Sequence, residues 1–152
     1  MKNKMIIILL LIAIFLITGC SIHKTAISSN DFENITNENE YYYFDVSEKF
    51  KDDNKVKSAS MAATTVWQTE FYVLNNKTSA IEMFESNKQV AEVEKTNTSY
   101  EETKKGTNYE SYSLTTNKTY TYICRVDNTI IFSRVPVEYR GKTKSFVKKL
   151  GY

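Results

Sequence analysis

One histidine and two cysteines are all the chain offers of the residue types on which nucleophilic and metal chemistry most often rests. His23 has no second histidine to converge with, and a metal or acid–base role needs convergent partners. A Cys–His dyad in the body of the chain is therefore absent, and no catalytic or metal-binding set is expected. Two cysteines cannot make a disulfide framework. Cys124 falls in a strand-like apolar run, where cysteine acts as a small hydrophobe. A reactive thiol needs an exposed electropositive niche, and the adjacent Arg125 points to the other face of such a strand. Charge of one sign is lacking too: 20 Lys and Arg oppose 18 Asp and Glu. Nucleic-acid binding usually rests on a clear basic excess, so the balance argues against it. No G-x-S-x-G, P-loop, H-E-x-x-H or EF-hand pattern occurs. Carboxylates are scattered, and Glu101-Glu102 beside Lys104-Lys105 reads as a solvated turn rather than a catalytic pair. Carboxylate-only catalysis stays open. With one proline and four glycines, no low-complexity segment, internal repeat or second domain stands out.

What the chain does have is an apolar N-terminal run. Lys2 and Lys4 precede 13 unbroken apolar residues, 5–17. A membrane-spanning helix needs about 20 such residues, whereas a secretory h-region needs about 7–15. The run ends in Leu16-Ile17-Thr18-Gly19-Cys20. Small Thr18 and Gly19 let a backbone enter a peptidase cleft, and Cys20 offers a thiol for a thioether to diacylglycerol. This segment resembles the lipobox of bacterial lipoproteins, with Ile17, Thr18, Gly19 and Cys20 in its four core positions. The resemblance implies cleavage between Gly19 and Cys20 and lipidation of Cys20. Two acyl chains hold a protein stably where one does not. The expected organisation is a signal peptide at 1–19, a lipidated tether at 20–29 and one domain at 30–152. Lys2 and Lys4 leave with the leader, so the mature side-chain charge is zero. A tether of about nine residues keeps the domain within roughly 30 Å of the membrane.

Periodicity then orders the rest. Asn30 or Asp31 caps a short helix carrying Phe32 and Ile35. Residues 40–46 form an aromatic strand, and residues 47–51 add a helical turn with Phe50. Residues 64–74 are the clearest strand, with Thr65, Trp67, Thr69, Phe71 and Val73 on its inner face. Ser79 and Glu82 make a capping box for a helix to about 94, whose stripe holds Ala80, Met83, Phe84, Val90 and Ala91. Residues 96–106 read as a loop. Strands follow at 109–114, 119–126 and 129–135. Asp127-Asn128 forms a two-residue turn that sets Cys124 opposite Ile131 and Val126 opposite Thr129. Tyr139, Thr143, Phe146, Val147 and Leu150 recur at helical spacing, and Gly151 stands where a helix is terminated by glycine. Hairpin-linked strands and three helices predict an α+β domain: an antiparallel sheet of about five strands with helices packed on one face.

Residues 123–132, Ile-Cys-Arg-Val-Asp-Asn-Thr-Ile-Ile-Phe, and the closing Lys148-Lys149-Leu150-Gly151-Tyr152 resemble a group of small lipoproteins of Gram-positive (Firmicutes-type) bacteria. Asp45-Val46-Ser47 with Phe50 is a second, weaker element. The abundance of Lys, Asn, Ile and Tyr suits an AT-rich source of that kind. The group has Ser at the position of Cys124, which speaks against a shared chemistry there. The resemblance implies an extracytoplasmic α+β domain and no particular substrate.

The expected protein is therefore held by its lipid on the outer face of the cell membrane, with no cofactor besides that covalent lipid. It is expected to be a non-enzymatic module binding an envelope protein or a small ligand. Tyr42, Tyr43 and Tyr72 are the candidate binding surface, since tyrosine joins apolar area to a polar tip. Six basic residues among 134–152, facing Glu138, offer a second candidate for contact with anionic lipid or wall polymer. A carboxylate-dependent envelope hydrolase and a self-protection lipoprotein against toxin or phage are the alternatives.

Overall fold

The computed structural model describes residues 23–152. The leader, the Gly19–Cys20 cleavage site and the lipidated Cys20 lie outside them. No helix of the described residues is long and apolar enough to cross a membrane.

The chain opens with helix α1 (Ser29–Glu38), then strand β1 (Tyr42–Asp45) and a 3-10 turn (Ser47–Phe50). Strands β2 (Val56–Ala63) and β3 (Gln68–Leu74) form a hairpin, followed by helix α2 (Lys77–Glu92). A four-strand meander comes next: β4 (Tyr100–Lys105), β5 (Tyr109–Thr115), β6 (Thr119–Val126) and β7 (Thr129–Pro136). A 3-10 turn (Val137–Tyr139) leads into helix α3 (Arg140–Lys149). All seven strands form one antiparallel sheet in the order β1-β2-β3-β7-β6-β5-β4. The last strand thus enters the middle, where β7 pairs with β3 through Phe71 opposite Ile131.

The sheet is covered on both faces, because its central strands are apolar on both sides. On one face, α1 and α3 enclose Phe32, Trp67, Phe71, Cys124, Ile131 and Phe146. Phe32 stacks on Phe71 with ring centroids 5.0 Å apart, and Trp67 meets Phe146 edge-on at 5.3 Å. On the other face, α2 lays Ala80, Phe84 and Ala91 over Leu74, Ile123 and Ile130. The α+β antiparallel class holds, but there are seven strands rather than about five, and the helices are not confined to one face.

Several local expectations hold to the residue. Val126 pairs with Thr129 and Cys124 with Ile131 across a two-residue turn, with Asp127 at φ +49. Gly151, at φ +80, follows α3 in the left-handed conformation that a side chain would strain. Other expectations are corrected. Ser28 caps α1, in a reciprocal box with Asp31, so the helix starts earlier than Asn30. Asn76, not Ser79, caps α2 by accepting from Ser79 N at 2.8 Å. Val90 is 65% exposed and off the stripe. Residues 100–105, read as loop, form the edge strand β4. Strand β2 was not anticipated. Its Ser-Ala-Ser-Met-Ala-Ala run has little strand propensity, and its small buried side chains give α1 room to approach.

The described part of the tether is docked rather than free. Lys24 N donates to Asn108 Oδ1 at 3.0 Å, and Asn108 Nδ2 donates back to Lys24 O at 2.7 Å. Lys24 Nζ donates to Gly151 O at 2.8 Å, and Ile27 N to the Tyr152 hydroxyl at 3.4 Å. Ala26 and Ile27 pack on the core beneath α1 and α3. The fold therefore claims the chain from Lys24, six residues earlier than an expected domain start at 30.

Candidate functional site

Strand alternation places one row from each of β4, β5 and β6 on the face that carries α1 and α3. Glu102 pairs with Ser113 and Lys104 with Ser111; Ser113 pairs in turn with Tyr122, and Thr115 with Tyr120. Helix α1 packs over β1–β3 and α3 over β7. The β4–β6 end of this face carries a cleft of about 400 Å³. Its depth comes from Ser111 and Ser113, small residues on the middle strand between bulky tyrosines on β6 and charged side chains on β4. One turn of α3 forms a wall with Lys144, Val147 and Lys148. Lys24 and Tyr152 close the end nearest the N-terminal strap.

The cleft is basic although the chain is not. Lys24, Lys104, Lys144 and Lys148 line it against a single acidic side chain, Glu102. Lys104 pairs with Glu102 at 3.1 Å, and Lys24 lies 5.2 Å from the Tyr109 ring centroid. Lys144 and Lys148 form no ion pair with a described residue. Lys144 and Arg140 stand over the Tyr120 ring at 6.0 and 5.7 Å. Arg140 Nε is buried without a hydrogen-bond partner among the described residues. Burial pushes the Tyr120 phenol up to about 12, against opposing effects of Ser113 and Arg140. Burial also drives Tyr122 far above the ordinary phenol range. Both hydroxyls stay protonated at neutral pH and can donate as well as accept. The inventory is one of neutral phenols, ammonium groups and the Glu102 carboxylate around a floor of serines, a set able to hydrogen-bond and ion-pair with a ligand.

The three sequence-selected tyrosines are not brought together. Tyr42 and Tyr43 are neighbours on a strand and so point to opposite faces. Tyr42 is 66% exposed on the edge strand. Tyr43 packs on the core beside Phe32, with its hydroxyl 3.1 Å from Ser60 Oγ. Tyr72 shares the face of Tyr42 but lies further along the sheet, because Tyr42 pairs with Ala63, which pairs with Gln68. Phe50 covers Tyr72 edge-on at 5.5 Å, and the Tyr72 hydroxyl donates to Glu70. Tyr72 lines a second cleft of about 380 Å³ on the α2 face, with Glu70 and Glu82 among its walls. Glu82 is held by Lys55 at 2.8 Å. His23 is exposed. Cys124 is fully buried, and burial raises its thiol to about 11.

The basic helix was visible in the sequence, and two of its lysines, 144 and 148, are in the cleft wall. The remainder is not legible there, because Glu102 and Lys104 lie in a charged stretch without a strand pattern and Lys24 in a polar one without periodicity. Comparison of the chain with protein-family models, with curated proteins and with solved structures finds no match.

Proposed function

We propose that this protein is a lipoprotein of the outer face of the cell membrane, anchored through Cys20, and that its domain is a non-enzymatic ligand-binding module. The lipobox-like Ile17-Thr18-Gly19-Cys20 supports the anchor. The tyrosine- and lysine-lined cleft is the single observation that carries the binding reading. Its volume falls in the range of small-ligand sites, and its polar groups converge from three strands, one helix and the N-terminal strap.

Two measurements test the two halves. A palmitate analogue bearing an alkyne should label the expressed chain, and Cys20→Ser should abolish labelling; labelling that survives that change overturns the anchor. For the cleft, the full chain in neutral detergent is screened by thermal unfolding against phosphate esters, carboxylates and neutral saccharides. Binding raises the unfolding temperature. Ser113→Leu, which fills the cleft floor, should remove that rise. No shift with any class, or a shift indifferent to Ser113→Leu, overturns the reading.

The hydrolase alternative has its best geometry in the second cleft, where Glu70 and Glu82 both project. Each carboxylate is already engaged, by Tyr72 and Lys55 respectively. Release of sugar or peptide from envelope material that is lost in Glu70→Gln would favour it.

A further inference from the structure

Resting on the binding reading above, we infer that the cleft of β4, β5, β6 and α3 takes a phosphate-bearing group presented at the membrane surface. Three observations converge on this. The first is charge: four lysines face one acidic side chain, Glu102, which pairs with Lys104, and Lys144 and Lys148 have no ion pair with a described residue. The second is the type of donor. Lysine is an established phosphate binder that acts as a point charge, without the planar fork by which arginine engages the edge of a carboxylate or a phosphate. Lys24, Lys144 and Lys148 line the cleft from two of its walls, with Lys24 Nζ donating to Gly151 O at 2.8 Å, and Ser111, Ser113 and Tyr122 line it from the sheet.

The third is position. Lys24, which closes one end of the cleft, is four residues after Cys20. At 3.3–3.6 Å per residue those four steps reach about 14 Å at most. A Cys20 seated in lipid therefore puts this end of the cleft within about two Debye lengths of the headgroups at physiological salt. Anionic headgroups attract lysines over that range. The phosphate comes either from a phospholipid headgroup in the same leaflet or from a soluble phosphate ester near it.

Lysine footprinting separates these sources. The full lipidated chain is placed in vesicles of phosphatidylcholine alone, or of phosphatidylcholine with phosphatidylglycerol at roughly three to one. Amine acylation at each lysine is read by mass spectrometry, and glycerol 1-phosphate is titrated into the first set. Lys144 and Lys148 should be protected in one arm or the other, while the exposed Lys49, in the first 3-10 turn, and Lys51, just after it, are not. Protection with phosphatidylglycerol alone assigns the headgroup; protection by glycerol 1-phosphate in neutral vesicles assigns the free ester. The double variant Lys144→Gln/Lys148→Gln, at two exposed positions that leave the core intact, should weaken binding about tenfold or more. Equal protection of all surface lysines would mean diffuse attraction and overturn the cleft assignment. A neutral saccharide that raises the unfolding temperature, with neither phosphate probe protecting Lys144 and Lys148, would overturn the phosphate inference and leave the binding reading standing. No response to any probe would overturn both.

Discussion

Asn108 holds the main chain of Lys24 in both directions, accepting from its N–H at 3.0 Å and donating to its carbonyl at 2.7 Å. The same amide donates to Asp127 Oδ2 at 2.8 Å. One side chain therefore does for the N-terminal strap what a strand partner does for an edge. Asn108→Ala leaves these partly buried groups unpaired and should cost about 1–3 kcal/mol in a urea titration. Protease cleavage among residues 24–28 should rise at the same time. Asn108→Asp should do no better, because it cannot donate to Lys24 O and sets a second carboxylate beside Asp127. An unchanged midpoint with unchanged cleavage would show that the strap is held by its apolar contacts alone.

Trp67 Nε1 donates to Thr143 Oγ1 at 2.8 Å inside the core, tying the β2–β3 connection to α3. Thr143→Val is nearly isosteric and strands the indole N–H, so it should destabilise by about 1–3 kcal/mol. Thr143→Ser keeps the hydroxyl and should recover most of that. Denaturant midpoints followed by Trp67 fluorescence give both values.

High pH should unfold the protein in a defined window. Burial raises Tyr120 and Tyr152 to about 12 from an ordinary 10. A phenol harder to ionise when folded contributes stability that is complete below pH 10. That stability is lost as pH climbs to about 12, because the unfolded chain sheds its protons first. The loss is on the order of 2 kcal/mol for each tyrosine. Tyr120→Phe should flatten the fall between these limits, measured as urea midpoints at a series of pH values. A flat wild-type profile to pH 12 would contradict the burial of both phenols.

Cys124 should report unfolding and little else. It is fully buried and its thiol is raised to about 11, so the native state presents almost no reactive thiolate at pH 8. In a Cys20→Ser background, its modification by a disulfide reagent should follow the urea unfolding curve. Fast labelling without urea would place Cys124 at the surface.

Legibility in the sequence followed burial. The β6–β7 hairpin was readable to the residue because alternation and the Asp127-Asn128 turn agree on one register. The inner face of β3 was readable because Thr69 and Phe71 are branched or large and alternate, although the strand starts at Gln68 rather than 64 and leaves exposed Thr65 and buried Trp67 in the β2–β3 connection. Strand β2 failed that test: its buried residues are mostly Ala and Ser, whose small side chains carry no β signal. Strand β4 failed for the opposite reason, as an edge strand whose charged residues look like a loop. The candidate site inherits both problems. Alternation told which residues share a face of β6, but nothing local told that β4 lies two strands away. Residue type alone singles out Tyr42, Tyr43 and Tyr72, and strand geometry sends them to different places.

The pinning of Lys24 and Ile27 by Gly151 and Tyr152 sets an order of events for a chain made from its N-terminus first. Residues 24–27 are among the first described residues to emerge, and their partners come more than a hundred residues later. The β2–β3 hairpin likewise waits for β7 before its inner edge is paired. No N-terminal fragment that stops before Tyr152 can make the complete strap. The strap and the cleft end that it closes are therefore complete only in a chain that extends through Tyr152.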